Sequence, residues 1–167
     1  MTLSLIFKKD HLVFGCGNPL LGDDGFGPAV IEYMQHHCRV PENAALIDAG
    51  TSIRDILFDI LLSSKKPKQI IIVDAADQPH RRTGDIFEID VDQISPAKIN
   101  DFSLHQFPTT NMLKELQEGT RIDVRVLVVQ TGAVPDEVRP GLSKPVEAAI
   151  PDMSQRILTL IKEDRDD

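Results

Sequence analysis

The chain has 167 residues, 41% hydrophobic and 26% charged, which is the composition of one folded domain (1–167) and excludes a disordered chain. With 18 Lys plus Arg against 26 Asp plus Glu the net charge is −8, and an acidic surface repels phosphate backbones, so nucleic acid is excluded as a general partner. Two cysteines, Cys16 and Cys38, make neither a disulfide framework nor a structural zinc knuckle.

The N-terminal apolar stretch Leu3 to Phe7 ends at Lys8, Lys9 and Asp10, too short for a signal peptide. No window approaches the roughly 20 apolar residues that cross a bilayer, so a cytoplasmic protein without a membrane partner is expected. Leu12-Val13-Phe14 reads as a buried strand breaking into a tight turn at Gly15-Cys16-Gly17-Asn18, followed by a helix up to about Cys38. Ala44 to Ile47 predicts a second strand ending at Asp48-Ala49-Gly50-Thr51, and Ile53, Ile56, Leu57, Ile60 and Leu61 recur at helical spacing. Gln69 to Val73, with three isoleucines, is the pattern of a central strand covered on both faces, stopping at Asp74. Asp85 to Asp90 alternates polar and apolar residues, as an edge strand does. Leu113 and Leu116 mark a short helix, Val124 to Val129 a further strand, and Pro145 to Ile161 a last helix. There is no linker, internal repeat or low-complexity segment. Strands alternating with helices predict a three-layer α/β/α sandwich, with a mostly parallel twisted sheet of about five strands and helices on both faces.

In open α/β sheets ligands bind beyond the carboxyl ends of the strands, so the polar residues there matter most. They are Asn18 and Asp24 after the first strand, Asp48 after the second, Asp74 after the third and Gln130 after the last. Each acid has a structural alternative: Asp23 or Asp24 as a helix N-cap, Asp48 as a turn residue, Asp74 as a loop starter bonding its own backbone. Together, repelling carboxylates on one rim favour a bound cation.

Gly15-x-Gly17 invites a dinucleotide fingerprint, but the third glycine is replaced by Leu20; Asp48 keeps a nucleotide-binding module open as an alternative. His11, His36, His37 and His80 read as solvated. His105 instead has apolar neighbours in Asp101 to Phe107, where a loop would carry it over the sheet edge. One imidazole with two carboxylates suits nickel, zinc, iron or manganese. Neither a GxSxG elbow nor an HExxH helix is present, and Cys16 reads as an apolar packing residue at a strand end rather than a nucleophile.

The stretch Val13 to Gly27 (VFGCGNPLLGDDGFG) resembles the opening motif of the [NiFe]-hydrogenase maturation endopeptidases. Ile47-Asp48-Ala49-Gly50-Thr51, Ile71-Ile72-Val73-Asp74-Ala75, Ser103-Leu104-His105-Gln106 and Gly132-Ala133-Val134-Pro135 follow in the family's order, over roughly positions 12 to 150. Asp101 to Asn111 and Glu137 to Ser143 are most similar to the branch that matures the coenzyme F420-reducing hydrogenase of methanogenic archaea. The resemblance implies a protease that removes a C-terminal extension from the hydrogenase large-subunit precursor once nickel is inserted. It also implies that Asp24, Asp74 and His105 contact nickel brought by the precursor, with no metal tightly bound in the free enzyme. The family's first acid is often glutamate and is Asp24 here, a reach shorter by one methylene. Asp48 would act as base or orient the water, and Gly17, Asn18, Gly50 and Thr51 would meet the substrate chain. A non-proteolytic nickel-checking or scaffolding partner of the same large subunit is the rival reading.

Overall fold

The computed structural model describes residues 3–93, 109–132 and 135–163. In chain order the elements are α1 (Leu3–Ile6), β1 (His11–Cys16), a 3-10 turn (Gly22–Gly25), α2 (Phe26–His37), β2 (Ala44–Gly50), α3 (Ile53–Leu62), β3 (Gln69–Ala76), β4 (Ile86–Ile89), a second 3-10 turn (Val91–Gln93), α4 (Thr109–Gly119), β5 (Asp123–Gln130), α5 (Lys144–Ala148) and α6 (Ile150–Glu163). The sheet order is β2-β1-β3-β5-β4, parallel except for the antiparallel β4–β5 pair at one edge.

Alternation along the strands divides the core into two layers. Leu12, Phe14, Ile70, Ile72, Val126 and Val128 pack with α3 and α4 on one face. Val13, Ile71, Val73, Leu127 and Val129 pack with α2 and α6 on the other. The predicted three-layer α/β architecture is therefore the observed one. The isoleucine-rich β3 is buried along its whole length, whereas β4 stands at the sheet edge, as expected, with Phe87 buried and its other three residues half-buried.

Several elements depart from the sequence expectation. Leu3–Ile6 is helical. β2 runs on through Asp48 to Gly50 and β3 through Asp74 to Ala76, because ladder pairing continues past the acids that were expected to end them. The last helix is two helices, since Pro151 has no N–H to continue the helical ladder across Ala149, while Pro145 sits in the first turn of α5, where its missing N–H costs nothing. His11 is not solvated: it is buried as the first residue of β1, with Nδ1 3.1 Å from Gln69 Oε1, and Gln69 Nε2 donates to Asp123 at 2.9 Å. These three residues are register neighbours on β1, β3 and β5 and form a polar row at the amino edge of the sheet.

β2 lies on one side of β1 and β3 on the other, so consecutive connections leave in opposite directions at the carboxyl end of β1. That crevice is the topological switch point where open α/β sheets bind ligands. Among the described residues, no helix is long and apolar enough to cross a membrane.

Candidate active site

The turn after β1 is folded around Asp24. Gly17 has φ +127°, and a Cβ there would overlap the Asp24 carbonyl oxygen, so only glycine fits. The next N–H, of Asn18, donates to Asp24 Oδ2 at 2.8 Å, and Asn18 Oδ1 accepts from Leu20 N at 3.0 Å. Asp24 is buried in the Gly22–Gly25 turn. Gly25, not an aspartate, stands at the N-cap of α2 and no side chain caps that helix, so the capping alternative for Asp23 and Asp24 is not realised.

Asp74 lies inside β3 and is fully buried. Its Oδ1 accepts the N–H of Ala75 at 2.8 Å, which is the self-bonding alternative, but its Oδ2 has no hydrogen-bond partner among the described residues. Burial pushes the carboxyl well above the usual carboxylate range; the Ala75 N–H works against this and the charge of Asp24 adds to it. Two buried carboxylates that repel each other, one with an unpaired oxygen, form a hard-oxygen donor pair suited to a cation. Asp24 and Asp74 alone do not complete a ligand set, and among the described residues no group of three or more His, Cys, Asp or Glu is poised around one point. His105 lies outside the described residues, as do Ser103-Leu104-His105-Gln106 and Ala133-Val134.

Asp48 stands apart from this pair. It is exposed on the edge strand β2, opposite Gly15, which pairs on its other side with Val73 of β3, so two strand spacings of roughly 4.8 Å separate it from β3. Asp48 Oδ1 accepts from Gly50 N at 3.0 Å, a local bond of the turn-residue kind made from within the strand rather than from a turn. It also borders a cleft of about 500 Å³ with Pro19, Gly25, Pro28, Glu32 and Gly141. Gly50, with φ +50°, accepts from Gly17 N at 2.9 Å, which joins the turns after β1 and β2; Thr51 beside it is exposed.

The N–H groups of Gly17 and Asn18 are thus spent inside the protein. The same two bonds leave these N–H groups unavailable to a phosphate cradle, and Asp23 and Asp24 just ahead of α2 oppose an anion. Gln130 ties the rim together, accepting from Gln78 N and donating to Asp77, both bonds under 3 Å (2.9 and 2.8 Å). Cys16 is fully buried in the core facing α3, as its packing role predicts.

One functional candidate was read from the sequence only as a possible cap. Asp23 accepts from Ser143 N at 2.7 Å, Ser143 Oγ at 2.9 Å and Gly132 N at 3.3 Å. Partners more than 100 residues distant leave no local signal.

Residues 28–160 match the family model described as hydrogenase maturation protease (HycI). The chain belongs to this family. The maturation protease is 37% identical over 156 residues to a Methanocaldococcus jannaschii protein assigned to the same family, covering 93% of this chain and 98% of that one. It is 36% identical over 160 residues to the coenzyme F420 hydrogenase subunit delta of Methanothermobacter thermautotrophicus, covering 91% and 94%. Among solved structures it is similar to the hydrogenase maturating endopeptidase HybD of Escherichia coli, with a TM-score of 0.69, 25% identity and coverage of 92% and 93%. The fold of the maturation protease is thus that of its family, and its activity class is hydrolase.

Proposed function

We propose that this maturation protease removes the C-terminal extension of a [NiFe]-hydrogenase large-subunit precursor after nickel insertion, the hydrogenase being of the coenzyme F420-reducing kind. The observation that carries the reading is the Asp24–Asp74 pair: two buried carboxylates at the switch point, with one oxygen of Asp74 unpaired. The similarity to an F420 hydrogenase subunit supports the choice of hydrogenase.

Nickel is part of the substrate, held by thiolates of the precursor. Asp24 and Asp74 offer it carboxylate oxygens and His105 an imidazole at the coordination position left open, so a precursor without nickel lacks its anchor. Once docked, the metal is available to polarise the scissile carbonyl. Water adds to that carbonyl carbon, the C–N bond breaks, and the extension leaves as an amine with the proton taken from the water. Asp48, exposed in the cleft, is the group for holding that proton or orienting the water. Gly50 and Thr51 lie beside it for the substrate chain.

The test is incubation with nickel-loaded and nickel-free precursor, read by the mass of the released fragment. Cleavage of the loaded form alone supports the reading; equal cleavage of both removes the nickel checkpoint. Nickel-dependent binding without cleavage replaces it with the scaffolding role.

A further inference from the structure

Residues 135–143 form an arch over the turn after β1, with open space on both sides. On one side Gly141 and Leu142 border the cleft of about 500 Å³ that also holds Asp48. On the other, Pro135 and Arg139 border a recess of about 460 Å³ with Asp23 and Thr83. A Cβ added at Gly141 would touch nothing within 4 Å, and only Leu142 of the arch reaches the core. Packing therefore does little to fix its position.

Polar bonds hold it instead. Arg139 N donates to Leu20 O at 2.8 Å and Gly22 N to Arg139 O at 2.9 Å, a short parallel bridge at the crest. The C-terminal foot is held by the Asp23 carboxylate, which receives both the N–H and the hydroxyl of Ser143, and Gly132 N at the other foot reaches the same carboxylate. Ser143 occupies the N-cap position of α5 with extended backbone, yet makes no side-chain cap bond. Its hydroxyl is diverted to Asp23, which sits next to Asp24 in the same turn.

We propose that Asp23 is a positioning residue for peptide cleavage, its carboxylate holding the 135–143 arch as the wall of the cleft that receives the precursor's chain beside Asp24. This rests on the protease reading above. Asparagine at position 23 keeps one acceptor oxygen but turns an NH2 group on the donors and loses the charge that strengthens all three bonds. The arch loosens and substrate binding weakens while the groups near the scissile bond stay in place.

The experiment compares wild type, Asp23→Asn, Ser143→Ala and Ser143→Thr for KM and kcat on nickel-loaded precursor, with amide hydrogen exchange over 135–143. The expected result is a KM raised about tenfold in Asp23→Asn and about threefold in Ser143→Ala, with kcat within about twofold and faster exchange in the arch. Ser143→Thr, which keeps the hydroxyl, restores the wild-type KM. An unchanged KM in both Asp23→Asn and Ser143→Ala overturns the proposal, as does a loss confined to kcat. Should Asp23→Asn fail to fold, the contrast between Ser143→Ala and Ser143→Thr decides alone. If wild type cleaves nothing, the protease reading falls first and this inference with it.

Discussion

Gly27, in the first turn of α2, lies directly on the backbone of Cys16 at the end of β1: a Cβ at position 27 would overlap the N and O atoms of Cys16 and the carbonyl oxygen of Val73. No side chain separates helix from sheet there, and this close approach sets where the preceding Gly22–Gly25 turn, and with it Asp24, stands above the switch point. The overlapping atoms are all backbone, so no rotamer change relieves them.

Gly27→Ala is therefore expected to cost roughly 2–4 kcal/mol, in the range of severe overpacking, and to displace Asp24. Gly119→Ala is the control: it meets nothing within 4 Å at the end of α4 and changes stability by less than about 1 kcal/mol. Chemical denaturation of both variants measures the difference.

Asp74→Asn is expected to raise stability at neutral pH. The folded-state pKa of Asp74 is raised by burial, so the unfolded chain ionises first as pH rises. Stability is lost from about pH 4, the unfolded value, up to the folded value, and the loss persists above it. Asparagine removes this slope. The melting temperature of the variant should exceed that of wild type at pH 7, with the two converging near pH 4. A melting temperature below wild type at pH 7 contradicts the burial argument.

Glu88 carries the opposite sign. Its side-chain bonds to Arg125, one of them Nη2 to Oε2 at 2.9 Å, with Arg156 nearby at 3.4 Å, hold its carboxyl below the ordinary value of 4.5. Its contribution is present above pH 4.5 and is lost as pH falls through the lowered folded value. The pair is partly exposed, so Glu88→Gln should cost only about 0.5–1 kcal/mol at pH 7 and nothing at low pH. Melting curves of wild type and variant across the acid range should close on one another.

The amino-edge row is expected to matter for stability alone. Gln69→Leu removes the side chain that links His11 to Asp123, a loss of about 0.5–1.5 kcal/mol. Because the row is at the opposite end of the strands from Asp24, the cleavage rate of the folded variant should match wild type. A fall in rate at a temperature where the variant is fully folded would contradict this.

The layers of the fold were legible because strands buried on both faces must be apolar throughout, which β3 shows as Ile70, Ile71 and Ile72. The same rule misplaced the ends of β2 and β3: an acid interrupts an apolar run, yet ladder bonds carry Asp48 and Asp74 within their strands. Asp24 and Asp74 were legible as rim residues, since each stands at the carboxyl end of an apolar strand run, where open α/β sheets bind ligands. What the sequence does not display is pairing between distant positions. His11 looks like a solvated residue until register places it beside Gln69, and Asp23 looks like a cap until Ser143, 120 positions on, meets it.

The most direct test of the Asp24–Asp74 pair as the reader of the precursor's nickel is the mass of the fragment released from nickel-loaded precursor by wild type and by Asp74→Asn. The expected result is release by wild type and none by the variant, although the variant melts at a higher temperature. Release by Asp74→Asn at the wild-type rate would contradict it.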